Sequence, residues 1–516
     1  LSLIFLLVFF VCYYFFITSF TEWLADVNIL SIFFHGCLFN LHVSFGSGEM
    51  LFLFMLFFCG VLSLNYSFHY FRGSFVKGSL LTRNTIFFLL SMFFLILSSG
   101  VFSLVCWEYL GIVSFFLILF YGNGISFKAS VVTLVTSRLG DLFFFVFVGY
   151  FLFYYLNWWF IAICFLFIIG SKSAVYPMLS WLLEAMRAPT PVSALVHSST
   201  LVAAGFWFLF EYFYLVADSS YFFLFCVSLC LVTIIVTSLV ILVIDDVKKM
   251  VALSTSNNIS WCIIFFLLGD PFLGVVQLLI HGLGKCMLFV LLGDLMVCNG
   301  SGQNYKGFYY VFCGHFACYL FFSIFCLCGL PLFGVYFSKH LFFSLLVFTS
   351  YNLFFLFCCC FGVLLSFFYS LRLFYVSFGL LSGGRFVFIY SFYGGLLFLP
   401  FLGFFSVVFV DFVEELVEMS LLLSTILNIF SFLGCFFYFF FVSTGFLNWG
   451  VSLGYLDCMC YYFGVLYIRL NYFVCVTLFR IDSFFVVCLH SFIVSLVGIF
   501  GSIGLFIFLF CCFSIN

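Results

Sequence analysis

Eight ionisable side chains stand where this chain has almost nothing else to ionise. Glu108, Arg138, Asp141, Lys172, His197, His281, Lys285 and Lys339 fall inside or beside long runs of Phe, Leu, Val and Ile. An ionisable residue at the middle of a bilayer costs at least about 2.5–3.5 kcal/mol, so several in one chain require mutual pairing or a functional return. A carboxylate, an amine and an imidazole within reach of one another can hand a proton along. Burial disfavours a charged amine, so a lysine carried out of water exchanges its proton closer to neutrality. A sugar or drug pocket does not most obviously need this set. Spacing refines the reading. Arg138 and Asp141 share a helix face and are placed to neutralise each other. His281 and Lys285 lie one helical turn apart and read as two members of a relay. Glu108 has no cation within a turn and needs one from another helix, for which Lys172 is the natural candidate. His197 reads either as a further relay member or as a hydrogen-bonded core histidine.

The elements that must hold these groups are membrane helices. Of the 516 residues 67% are hydrophobic and only 7% charged, against about 25% charged in a soluble domain. Residues 86–107, 142–168, 221–244 and 308–335 each exceed the roughly 20 apolar residues that cross a bilayer as a helix. The runs are continuously apolar rather than alternating, which excludes a β-barrel and leaves helices. The expected fold is an all-α polytopic membrane protein with about 15–16 transmembrane helices. The net charge of −2 argues against a nucleic acid or any other polyanionic partner. The 24 cysteines lie mostly in apolar runs, as in "LFCCCFGV", and behave as small hydrophobes. No Cys-x-x-Cys pair stands beside histidines, and no glycine fingerprint opens a βαβ unit, so no metal, cluster or nucleotide site is signalled.

Two spans are too long and are interrupted. "GSKSAVYPMLSWLLEAMRAPTPVSALVHSST" (170–200) breaks the run 158–185 near Lys172 and Pro177, and carries Glu184, Arg187, Pro189 and Pro191 besides. The run 308–345 breaks around Gly329, Pro331 and Gly334. Proline removes a backbone donor, and freed backbone groups in lipid must find partners, so broken helices belong where they line a wet or protein-packed cavity. A pair of interrupted spans in corresponding places points to an internally repeated transporter with its site at mid-membrane. The expected organisation is N-terminal helices over 1–84, a first five-helix repeat over 85–213, a second over 221–378, and C-terminal helices over 387–516. Within the last, 447–483 is more polar and holds Asp457, Arg469, Arg480 and Asp482, as a helix lying along the membrane or along a partner would. The dominance of residues with U- and G-rich codons, and an opening without an Arg- and Ser-rich transit peptide, fit synthesis inside an organelle.

At its charged segments the chain resembles the antiporter-like membrane subunits of respiratory NADH:ubiquinone oxidoreductase (complex I). "CWEYLGIVSFFLI" (106–118) is similar to that family's W-E-G-x-G-x-x-S segment, and "SRLGDLFFF" (137–145) to its N-R-x-G-D. The segment 170–200 resembles G-K-S-A…W-L-x-x-A-M-x-x-P-T-P-V-S-A-L-x-H-S-S-T, in the form of the subunit 5 branch rather than of subunits 4 and 2. "DDVKKMVALSTSNNIS", "HGLGKCMLF" and "GLPLFGVYFSKH" resemble the later motifs in family order. The resemblance covers about residues 40–345 and is weak beyond about 380.

It implies a proton-translocating membrane-arm subunit whose path runs through Glu108, Asp141, Lys172, His197, His281, Lys285 and Lys339. It implies no cofactor on this chain, with NAD, FMN, iron–sulfur clusters and ubiquinone on other subunits. The implied partners are other membrane-arm subunits, especially a subunit 4-like neighbour, and lipids, in the mitochondrial inner membrane. The chain departs from the family at Tyr109 and Ala188, where it has glycine, at Glu211, where arginine is frequent, and at His340, where an acid follows the lysine. The rival reading is a stand-alone Mrp-type cation/proton antiporter subunit.

Overall fold

In a computed structural model of the chain, the described residues are 46–98, 101–152, 158–216, 220–268, 271–300, 302–304, 308–311, 314–330, 333–348, 353–377 and 381–385, with scattered positions between 425 and 491. The helices expected over 1–45 and 387–424, and nearly all of 447–483, lie outside the described residues. Compact packing divides the chain into Leu1–Gly454 and Tyr455–Asn516. In the second unit Arg469, Tyr472, Phe473 and Ser491 are described, all helical.

The first unit is built from helices. α1 is Ser47–Tyr70, α2 Phe75–Leu97, α3 Val101–Ile118, α4 Gly124–Leu152, α5 Trp158–Ser173 and α6 the short Ser180–Ala185. α7 runs Thr190–Tyr212, α8 Ser220–Ile241, α9 Val247–Leu268 and α10 Pro271–Cys298. α11 is Gly314–Cys328, α12 Tyr336–Phe348 and α13 Leu353–Ser377. Nine helices among the described residues are long and apolar enough to cross a membrane. One element lies outside the all-helical expectation, a short parallel pairing of β1 (Tyr309–Val311) with β2 (Leu381–Arg385).

α7, α9 and α10 form the interior, while one flank of α2, α3, α4, α8 and α13 is open. Small residues let the interior helices close up, as is usual in membranes. A Cβ on Gly205 of α7 would lie 2.9 Å from the Ser173 nitrogen and 3.2 Å from the Ile169 carbonyl of α5. α1 and α10 run in the same direction: Met55 meets Gly282, Cys59 donates to the Gly282 carbonyl, and Tyr66 meets Gly293.

Both expected breaks are present, and they share a cap. α5 stops at Ser173 because Ala174 is left-handed (φ 54°), and the Val175 N–H turns back to the Gly170 carbonyl at 3.2 Å. α11 stops at Cys328 because Gly329 is left-handed (φ 87°), and the Leu330 N–H reaches the Phe325 carbonyl at 3.2 Å. A left-handed residue one past the end, with a backward bond from the next, is the usual glycine stop. At the first break an alanine occupies that position, so the helix ends before Pro177 is reached. α7 carries a wide π turn over Ser193–Thr200, in which the Thr200 hydroxyl donates to the Leu195 carbonyl at 2.8 Å. Such widened turns recur at functional sites, and His197 sits in this one.

Candidate functional site

Each expected site residue lies on one of three buried clusters. The first joins α3, α4 and α5. Lys172, on the last turn of α5, is 1% exposed and approaches Asp141 of α4 at 3.3 Å. The Trp107 indole N–H of α3 donates to the same Asp141 oxygen at 2.7 Å, and its ring faces the ammonium at 4.9 Å. The two charges are thus paired, and the carboxylate is further held by the indole N–H, which offsets part of the cost of burying the pair. Arg138 pairs with Glu108 and also lies 3.5 Å from the second Asp141 oxygen.

The expected partnership of Lys172 with Glu108 is therefore corrected. Asp141 takes Lys172, and Glu108 takes Arg138. The geometry explains the exchange. Trp107 and Glu108 are adjacent on α3, so they point in different directions around the helix. Trp107 faces the interior and fixes Asp141, while Glu108 is turned to the half-exposed edge where Arg138 stands. Arg138 and Asp141 do approach each other, as their spacing implied, but Arg138 is shared between two carboxylates.

Behind Lys172 lies a cavity of about 10 Å³, lined in part by Ser114, Thr133, Ser137, Ser171 and His197. That is about the room one water needs, and the hydroxyls supply polar partners for it. His197 is fully buried, and neither ring nitrogen has a hydrogen-bond partner among the described residues.

The second cluster is on α10 and α9. Gln277, His281 and Lys285 recur at successive turns of α10, all at most 2% exposed. Lys285 donates to the Ser254 hydroxyl of α9 and approaches the Val251 carbonyl at 3.5 Å. His281 has no hydrogen-bond partner on either nitrogen. Gln277 accepts a hydrogen bond from Ser338 of α12.

The third cluster is the second break. Lys339 of α12 donates to the Cys328 carbonyl at 2.8 Å and to the Ser366 hydroxyl at 3.1 Å. Cys328 is the last residue of α11, so the lysine satisfies a carbonyl that the break sets free, at the negative end of that half-helix. A cavity of about 10 Å³ opens beside it, lined by Tyr336, Asn428 and Ser431 among others. His340 is buried, with both nitrogens unpartnered.

Two buried cations escaped the sequence reading, Lys248 and Arg372, whose guanidinium donates to the Ile244 carbonyl at 3.0 Å. Lys248, 6% exposed on the first turn of α9, donates to the Ala188 carbonyl at 3.1 Å, and it is the charged neighbour of His197. In "DDVKKM" it looked like one more loop charge. The signal available was its place at the head of an apolar helix, where one lysine of the pair must face inward. Lys249 makes an ordinary rim pair with Asp246 at 3.2 Å. Among the described residues no three His, Cys, Asp or Glu side chains gather as a metal site.

A helical membrane bundle with two broken helices, each with a buried lysine, defines an ion-translocating class of protein. The chain belongs to the NADH:quinone oxidoreductase/Mrp antiporter transmembrane family, whose model matches residues 98–366. Among its relatives, NADH-ubiquinone oxidoreductase chain 5 of Caenorhabditis elegans is 35% identical over 376 residues, spanning 66% of this chain and 69% of that one. The Ascaris suum protein of the same name is 35% identical over 60% of this chain and 56% of its own length. Among solved structures, the Mrp complex from Dietzia sp. DQ12-45-1b superposes with a TM-score of 0.71 at 19% identity, over 89% of this chain and 56% of that one. The membrane-bound sulfane sulfur reductase, an archaeal respiratory membrane complex, gives 0.63 at 21% identity over 72% of this chain and 81% of that one. These two likenesses concern the fold.

Proposed function

We infer that this chain is a proton-translocating membrane subunit of an NADH:ubiquinone oxidoreductase, of the chain 5 kind. The observation that carries the reading is the Lys172–Asp141 pair, fully buried at a helix break and opening on a water-sized cavity shared with His197. The relatives' shared name supplies the reaction to which the pumping is coupled.

The arrangement works by moving charge, with no chemistry on substrate. Lys172 holds its proton while Asp141 faces it, since an opposite charge nearby favours the charged form. Arg138 touches both Glu108 and Asp141. When Arg138 leans on Glu108, Asp141 is left to Lys172. When it leans on Asp141, the carboxylate is neutralised from its other side and the ammonium loses its support. The proton then passes through the cavity towards His197, whose nitrogens are free to take it. Such a cation exchange between two acids is a two-state switch that a distant event can throw. Lys285 with His281, and Lys339, are the further stations of the path. The partition into repeats over 85–213 and 221–378 belongs to this proposal.

The redox groups and ubiquinone belong to other subunits. The partners are membrane-arm subunits, with a subunit 4-like chain as neighbour, in the mitochondrial inner membrane, and the chain is organelle-encoded. The decisive test is to isolate the native complex that contains this chain. Co-purification with NADH:ubiquinone reductase activity is expected, and stoichiometric flavin, haem or iron on the isolated chain would contradict the assignment of redox groups elsewhere. The Mrp-like fold keeps one rival in view. Sodium/proton exchange by vesicles without NADH, and no quinone reductase in the complex, would establish the antiporter instead.

A further inference from the structure

Outside the three clusters, Asp294 is a buried acid that faces a histidine from another helix. Asp294, near the end of α10 and 4% exposed, lies 3.6 Å from the His69 ring at the end of α1, which is 21% exposed. The Tyr66 hydroxyl hydrogen-bonds to Asp294 and stands 3.5 Å from the Thr190 hydroxyl, where either oxygen can be the donor. The space they occupy is left by Gly293: a Cβ there would run into the Tyr66 hydroxyl and lie 3.1 Å from that of Thr190. Because α1 and α10 are parallel, this group sits where both helices reach the same membrane surface.

We propose that His69, Asp294 and Tyr66 form a proton-collecting port that delivers protons from the water at this surface to the Thr190 end of α7. The proposal rests on the proton-pumping reading above. His69 is the member in contact with water. Its imidazolium gives a proton to the Asp294 carboxylate. The carboxylic acid then donates to the Tyr66 oxygen as Tyr66 donates its own hydrogen to Thr190 and the Thr190 hydroxyl passes its hydrogen to a water on its inner side, after which rotation of both hydroxyls resets the relay. One proton moves inward at each step and no electrons move. Thr190 opens the helix that carries His197, and two residues before it the Ala188 carbonyl holds Lys248. The chain of groups therefore ends beside the buried cations rather than in apolar packing. The ionisable groups bearing on the pair are Tyr66 and Tyr70 of α1 and Arg72 in the turn that follows it. At the start of α9, Asp246 and Lys249 are paired with each other, and Lys248 is turned to Ala188. On the α12 side, Lys339 is held by Cys328.

A simple clamp between α1 and α10 would need the same contacts, so the test reads pH dependence. Protons pumped per electron pair are measured in vesicles of the purified complex across a range of external pH, for Asp294→Asn, Asp294→Glu and His69→Gln, with Lys172→Met alongside. The expected result is an assembled Asp294→Asn complex that loses most of its pumping at alkaline pH, where protons are scarce, with recovery in Asp294→Glu. His69→Gln, at the rim, should shift the midpoint of that decline to lower pH. An unchanged profile in Asp294→Asn overturns the port, as does an equal loss at every pH that Asp294→Glu fails to rescue. If Asp294→Asn does not assemble, an unchanged profile in His69→Gln overturns it. Normal pumping by Lys172→Met would remove the underlying reading. Pumping blocked in Lys172→Met but of parental profile in Asp294→Asn removes the port alone.

Discussion

Removing the Asp141 charge should do more harm than removing the whole Lys172–Asp141 pair. At 3.3 Å and an effective dielectric of about 20, the two charges attract by about 5 kcal/mol. Both are almost fully buried, so neither can turn to water when the other is lost. Taking away one partner of a buried pair costs about 3–5 kcal/mol, whereas an apolar pair of similar volume is often tolerated. Asp141→Asn keeps the carboxamide oxygen for the Trp107 indole but leaves the ammonium facing a neutral group, with Arg138 nearby. Adding Lys172→Met removes the stranded charge. The assay is the yield of intact complex on native gels after graded heating, for both single variants and the double. The Asp141→Asn complex should be the most heat-labile, with the double variant recovering most of the loss in assembly while pumping stays abolished. Equal heat resistance of Asp141→Asn and parent, or a double variant weaker than Asp141→Asn, would refute the reasoning.

Two further outcomes follow from the helix breaks and contacts. Ala174 holds a left-handed backbone that costs a non-glycine residue about 1 kcal/mol or more, so Ala174→Gly should raise the heat tolerance of the assembled complex, with pumping intact. Gly205→Ala forces a methyl to within 2.9 Å of the Ser173 backbone, and overpacking of this kind costs about 1–3 kcal/mol. That variant should lower the yield of complex and disturb the helix turn that presents Lys172, read as reduced yield on native gels with impaired pumping in what remains.

The buried charges were legible because a chain this apolar makes every ionisable residue conspicuous. The membrane class, the helices and both breaks followed from apolar runs and from proline and glycine. Which acid meets which base was not legible, because it depends on how α3 and α4 are rotated about their own axes. Glu108 and Trp107 are neighbours in sequence, yet they point about 100° apart around α3 and meet different residues of α4. The stop at Ala174 was hidden because alanine does not announce a left-handed turn, so the break was assigned to Pro177. Lys248, His69 and Asp294 were passed over for a common reason. Each stands near a helix end, where a charge usually means water, and only packing reveals that Lys248 and Asp294 are turned inward.

The most direct measurement is the number of protons pumped per electron pair by the assembled complex carrying Lys172→Met, in sealed vesicles, with Lys172→Arg beside it. Methionine keeps the stem of the side chain and removes the titrating group, and arginine keeps a charge that it does not release. Both complexes should oxidise NADH with fewer protons moved than the parent, Lys172→Met because no proton is carried and Lys172→Arg because none is let go. Parental proton output from an assembled Lys172→Met complex would contradict the account.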